Sequence, residues 1–367
     1  EDERDVVYGT ILAYYRDLAH QLEQQADRPS PVAGSVQLRL RQAYVEEMHY
    51  QLCYSPPMGF STYFWLAEEA LGAGDLEMDM LIRCEFLRTL SALSETEVFL
   101  GSIPREASLD AAVRWGARAL YVQGDPETAL RIFELVRQRW TKHAGKVELP
   151  WAHFQLYRAL AKARRARGDD WLEAREILAD VVETVDRTLA FPPENPVIRA
   201  RRWRAEIIKG LALNTIGYLD RQQGRYLEAV DRYRDSAMLQ RRLGMNTLTS
   251  TLVELSYAMA MTGQFHHARL KAEEAERLAQ RRGQVYLLAE ALNARAYLEG
   301  LDHHYQVALR YADRALEAAA KLPGHRVRGL SHLARARAYR YLWNSLSETE
   351  RAREAGLLDE AVAAATQ

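Results

Sequence analysis

His266-His267 and His303-His304 are the residues of this chain whose type and placement could hold a metal, because imidazole pairs in neighbouring turns can converge as ligands. The plainer reading is that each pair is a solvated polar start to a helix. Gly145-Lys146 is followed by Val147 and lacks the upstream glycine of a phosphate-binding loop, so it does not describe a nucleotide site. No Gly-x-Ser-x-Gly elbow and no His-Glu-x-x-His helix occurs. Adjacent carboxylates such as Glu46-Glu47 and Glu273-Glu274 have basic neighbours at helical spacing, which makes them surface charge. No catalytic activity, cofactor or metal is expected.

Two basic clusters test for nucleic acid: Arg199, Arg201, Arg202 and Arg204 with Trp203 and Lys209, and Arg164, Arg165 and Arg167. A nucleic-acid groove needs basic and aromatic residues alternating over a continuous surface. Here acidic residues intervene, and the net charge of the 367 residues is -1. Nucleic acid is therefore not an expected partner, and ion pairs within the fold take its place. Cys53 and Cys84 sit in apolar helical stretches and read as buried free thiols of a reducing cytoplasm. No apolar run is long enough to cross a bilayer, and the acidic start Glu-Asp-Glu-Arg-Asp has neither region of a signal peptide. The lack of an initiating methionine suggests a segment of a longer, cytoplasmic protein.

What remains must come from the elements, and these are helical almost throughout. The pattern predicts helices over 4–25, 35–54, 60–72, 75–92, 107–123, 126–141, 150–167, 171–189, 197–223, 226–243, 247–262, 265–282, 285–301, 304–321, 326–343 and 348–365. Pro29 and Pro31, Pro56-Pro57 with Gly59, Gly72 and Gly74, Pro104, and Pro192-Pro193 with Pro196 supply the breaks. Gly224 and Gly263 suit the left-handed residue that ends a helix.

One phrase recurs across those breaks: Gly-Arg-Tyr-Leu-Glu-Ala (224–229), Gly-Gln-Phe-His-His-Ala (263–268), His-His-Tyr-Gln-Val-Ala (303–308), and more weakly Gly-Asp-Pro-Glu-Thr-Ala (124–129). A period of roughly 40 residues in helical sequence is the mark of a solenoid, whose hairpins bury their apolar faces only by stacking. Gly217, Ser256 and Ala296 are the small residues where paired helices would cross. Tyr226, Phe265 and Tyr305 would fill the gap after each turn. The pattern resembles the tetratricopeptide repeat (TPR), well over 211–316, fairly over 111–137 and loosely over 151–181. Leu213, Leu252 and Leu292 stand where that motif has tryptophan, and the period exceeds its usual length of about 34. The expected fold is all-α, an α-solenoid superhelix of TPR-like helical hairpins over 101–367, with residues 1–100 as an irregular helical lead-in or cap.

First helices of such hairpins line a concave wall, and residues one turn apart point into it. Register on the turns places Tyr218, Tyr257 and Tyr297 in one row, continued by Tyr339. One turn earlier come Asn214, Val253, Asn293 and Arg335. The earlier repeats put Arg114 and Arg118, then Arg158, Lys162 and Arg165, at the matching positions. A wall of tyrosine, amide and cation suits a protein or peptide ligand. The alternative for each tyrosine is packing against the adjacent repeat.

Residues 41–52 (Arg-Gln-Ala-Tyr-Val-Glu-Glu-Met-His-Tyr-Gln-Leu), 59–64 (Gly-Phe-Ser-Thr-Tyr-Phe) and 73–81 (Ala-Gly-Asp-Leu-Glu-Met-Asp-Met-Leu) carry a second resemblance. They are similar to the helices that open the sensor arrays of bacterial STAND signalling ATPases, which resemble the nucleotide-oligomerising (NLR-like) immune receptors. That resemblance implies a non-catalytic sensor region partnered by the NTPase core of a parent chain. A free-standing TPR adaptor or peptide-pheromone receptor is the alternative.

Overall fold

The computed structural model describes residues 3–26, 33–73, 75–92, 103–140, 148–320, 326–353, 356, 359–360 and 362–363. The Gly145-Lys146 pair lies outside the described residues. Every element among them is a helix, and contacts divide the chain into two compact units, Glu1–Thr215 and Ile216–Gln367.

The first unit contains α1 (Glu3–Ala26), α2 (Ala33–Tyr54), α3 (Pro56–Ala73), α4 (Leu76–Ala92), α5 (Ile103–Arg118), α6 (Pro126–Trp140), α7 (Glu148–Arg165) and α8 (Asp170–Ala190). The unit boundary falls within α9 (Pro196–Gln222). The second unit continues with α10 (Tyr226–Arg242), α11 (Leu248–Met261), α12 (Phe265–Arg281), α13 (Val285–Leu301), α14 (Tyr305–Ala320), α15 (Arg326–Ser345) and α16 (Glu348–Arg353). In the first unit α1 to α4 pack each on the next, as do α5 to α8; in the second unit α10 to α15 do the same, and alternate helices also meet, α5 on α7, α11 on α13, α13 on α15. Helical hairpins stacked in series make this an all-α, TPR-like array.

The hairpin turns of the second unit share one closure. The amide after each left-handed residue reaches back five positions: Arg225 to the Asp220 carbonyl (2.8 Å), Gln264 to Met259 (2.9 Å) and His304 to Glu299 (2.9 Å). Gly224 and Gly263 supply φ of 77° and 78° there, and His303 adopts 64° without a glycine's freedom.

Alanine dominates the core between these hairpins. Ala229, Ala268, Ala272, Ala275 and Ala291 are fully buried beside Leu252, Leu255 and Leu298. The aromatic after the turn is half-buried at Tyr226 and Tyr305 and exposed at Phe265, so it does not cover the crossing point in every repeat. Over Gly217 lies Tyr233, about two turns deeper in α10 than Tyr226 and fully buried, whose ring would stand 3.0 Å from a Cβ added at Gly217.

Two elements differ from the sequence pattern. Helix α3 starts at Pro56, with both prolines in its first turn, where a missing amide hydrogen costs no bond. After α5 comes a π-helical turn, Ala119–Gln123, closed by Gly124 at φ 66°. It holds one residue more than the matching turn in the later repeats. The small residue of this hairpin is consequently Gly116, against the buried Phe133 ring, and everything upstream is rotated.

Candidate functional site

The tyrosine row in the second unit is assembled in part. Tyr257 on α11 and Tyr297 on α13 have ring centroids 5.4 Å apart, with planes inclined by 59°. Tyr218, in the last turn of α9, lies under the Arg221 guanidinium at 5.6 Å, and Arg221 in turn pairs with Glu254 at 3.0 Å. Tyr257 packs against the alanine core. Burial, then Glu254 and Glu290, push its phenol above the usual range, with Arg221 and Arg337 opposing. Tyr297 is less enclosed: its hydroxyl donates to the Met261 sulfur at 3.5 Å, and Met261 is 46% exposed.

At α15 the row continues through different residues from those expected. Tyr339 is buried, with the Arg335 guanidinium 5.4 Å over its ring, and Arg335 pairs with Asp313 of α14 at 2.9 Å. Both face the neighbouring helix. Arg337 is exposed, and its charge opposes the rise that burial imposes on the Tyr257 and Tyr297 phenols. Tyr341 neighbours Tyr297 and lies 3.3 Å from a Cβ added at Gly300. With Tyr339 buried and Arg337 exposed, the open position of α15 lies two residues earlier than expected, which moves the small residue before it from Ala338 to Ala336. Both candidates are alanines, so the sequence offered no choice between them.

The amide positions close inward. Asn293 is buried and donates from Nδ2 to Ser331 Oγ at 3.0 Å, tying α13 to α15. Val253 is buried as well, and Asn214 is half-buried and engaged.

The expected cationic row of the first unit is not an open surface. The rotation above the π turn carries Arg114 to full burial, between Glu68 (3.0 Å) and Asp110 (3.3 Å), with Phe64 beneath it at 5.9 Å. Arg118 is paired with Asp79. Lys162 is buried against Glu173 (2.7 Å) and Asp170 (3.7 Å), and Arg165 holds Asp170 at 2.6 Å. Arg158 is half-buried on Gln155, and burial, then Arg137, lower its pKa. The two basic clusters are similarly tied: Arg202 to the carbonyls ending α8, Lys209 to Asp186, Arg204 over Phe60, Arg164 over Tyr121.

Around Arg114 lies a network that sequence reading missed, since its members come from three helices. Glu68 accepts from His153 Nε2 (2.9 Å) and the Tyr157 hydroxyl (2.5 Å), while Tyr63 donates to Asp110 (2.6 Å). Burial alone would raise the Glu68 carboxyl, but Arg114, His153 and these hydrogen bonds outweigh it and hold its pKa at about 2. A cavity of about 10 Å³ beside Asp110, His153 and Arg204 has room for one water. This assembly locks α3, α5 and α7 together.

Chemistry finds little purchase elsewhere. Cys53 Sγ lies 3.8 Å from His49 Nε2, whose Nδ1 is 2.8 Å from Glu85. Burial and then Glu85 push that thiol up, opposite to what a nucleophile requires. Cys84 is exposed rather than buried, and both thiols are free. His304 bonds Glu299 (2.9 Å), and among the described residues no group of three or more ligands is placed to hold a metal. A groove of about 640 Å³ between α1 and the α2–α3 corner has its charges paired, Tyr54 to Asp5 and Arg16 to Glu47. Among the described residues no helix is long and apolar enough to cross a membrane.

No family model matches the sequence, and no curated protein does. Among solved structures, a chain of the APC/C hetero-tetramer Cut9–Hcn1 is similar at 13% identity and a TM-score of 0.22, over 96% of this chain and 85% of that one.

Proposed function

We propose that this chain is a non-catalytic scaffold that docks a protein or peptide along the row formed by Tyr218, Tyr257, Tyr297 and Arg337. The observation that carries this reading is the continuity of the row. Four successive hairpin helices present large amphipathic or cationic side chains at one register, and Tyr297 and Arg337 keep part or all of their surface open. Stacked hairpins provide extended surfaces of this kind, and tyrosine gives contact area at low entropic cost.

The finer reading is the sensor array of a STAND-type signalling ATPase, with residues 1–100 as lead-in to the repeats. Its support is the resemblance of residues 41–52, 59–64 and 73–81. A ligand preferring one arrangement of sensor and NTPase core would shift that equilibrium. The full-length reading frame tests it: a nucleotide-binding segment ahead of residue 1 is expected, and its absence leaves the free-standing adaptor. The scaffold itself is tested with purified chain coupled to resin. A partner retained by the native chain and lost by Tyr297→Ala, while circular dichroism shows that variant still folded, supports docking; retention by the variant contradicts it.

A further inference from the structure

Helix α15 carries a stripe that nothing else in the second unit explains. Leu330 and Leu333 are 40% and 43% exposed, and Arg337 and Arg340 are exposed one and two turns further on. Spacing of three and four residues places all four on one face of the helix. That face adjoins α13, which carries Tyr297: the Tyr341 ring would stand 3.3 Å from a Cβ added at Gly300, and the Arg340 guanidinium lies 5.4 Å over that ring.

The charge on this stripe is one-sided. From Glu317 to Glu348 the sequence has no carboxylate, while six residues between them are arginine or lysine. Four arginines that face the packed helices are neutralised: Arg335 by Asp313, Arg314 and Arg295 by Glu276, Arg221 by Glu254. No carboxylate among the described residues pairs with Arg337 or Arg340. Glu254 and Glu290 are the acidic groups near the row; the first holds Arg221, and the second accepts from Tyr286 at 2.8 Å.

We infer that this face receives an acidic peptide segment, its carboxylates on Arg337 and Arg340 and its apolar side chains on Leu330, Leu333 and the Tyr297 ring. The inference rests on the scaffold reading and names the class of partner. Charge complementarity selects the occupant. A second copy pairing face to face would set Arg337 and Arg340 against their own counterparts. Nucleic acid would carry an unbroken run of phosphates past Glu254 and Glu290 and leave Leu330 and Leu333 without apolar partners.

The experiment is selection of a random twelve-residue peptide phage library on the native chain and on Arg337→Glu, followed by fluorescence anisotropy of the selected peptides. Arg337 is exposed, so the variant folds, which circular dichroism checks. The native chain is expected to enrich sequences mixing Asp or Glu with Leu, Ile or aromatic residues. Their affinity should fall about tenfold or more with Arg337→Glu and decline with salt. Selected peptides without acidic excess, or acidic peptides bound equally by both chains, overturn the inference and leave the scaffold reading standing. Peptides that bind the native chain and Tyr297→Ala alike overturn both, as does the absence of any selected peptide. A single-stranded oligonucleotide of the same length is the control, and its tighter binding would also overturn the proposal.

Discussion

Tyr257 and Tyr297 occupy the same position of successive hairpins and meet at 5.4 Å, yet they are held differently: Tyr257 is wedged against the alanine core, and Tyr297 leans toward the exposed Met261. One ring is chiefly structural and its neighbour chiefly available. Tyr257→Ala should lower stability by about 3 kcal/mol, as loss of a packed aromatic does, and Tyr297→Ala by about 1 kcal/mol. Urea unfolding of both variants checks this, and equal losses would contradict it.

Gly116 is the tightest point of the first repeat pair in the first unit. An added Cβ would stand 2.2 Å from the Phe133 ring, which is fully buried and would have to shift. Gly116→Ala should therefore destabilise by roughly 2–3 kcal/mol, although alanine is the better helix former. A melting temperature at or above that of the native chain would show that the helices separate freely there.

Glu68 links the first unit to pH. Its carboxyl is held at about 2 against an ordinary 4.5, so its ionised form stabilises the fold above pH 4.5. That contribution, about 3 kcal/mol at most, drains away as the pH falls from 4.5 toward 2. Glu68→Gln should be less stable at neutral pH, because Arg114 and His153 lose their partner, and the deficit should shrink across that acid window. Denaturant titrations of both proteins at several pH values check it; a deficit constant with pH would contradict the pairing.

His303 sits where two other repeats have glycine, at φ 64°. His303→Gly should raise stability by about 0.5–1 kcal/mol, the relief of left-handed strain less the entropy that glycine loses. Calorimetry decides, and a lower melting temperature would mean that the 2.6 Å contact with the Tyr305 hydroxyl matters more than the backbone.

The helices were largely legible in the sequence, because a left-handed turn residue, a small crossing residue and a second-helix alanine recur together at Gly224, Gly263 and His303. The proposed docking row was legible only where that register held, at Tyr218, Tyr257 and Tyr297. It slipped by two residues at α15, where Ala336 and Ala338 are equally small, so Arg337 and Tyr341 were hidden behind Arg335 and Tyr339. It slipped by one at α5, where a π turn absorbs a residue and rolls Arg114 inward. The partners that receive Arg114 come from α3 and α7, and no local pattern connects Glu68 to His153.

Amide hydrogen exchange with and without a bound peptide tests the central claim most directly. Protection concentrated on α11, α13 and α15, strongest around Tyr297 and Arg337, is the predicted result. Protection on α10, α12 and α14 instead, with the tyrosine row unchanged, would contradict it.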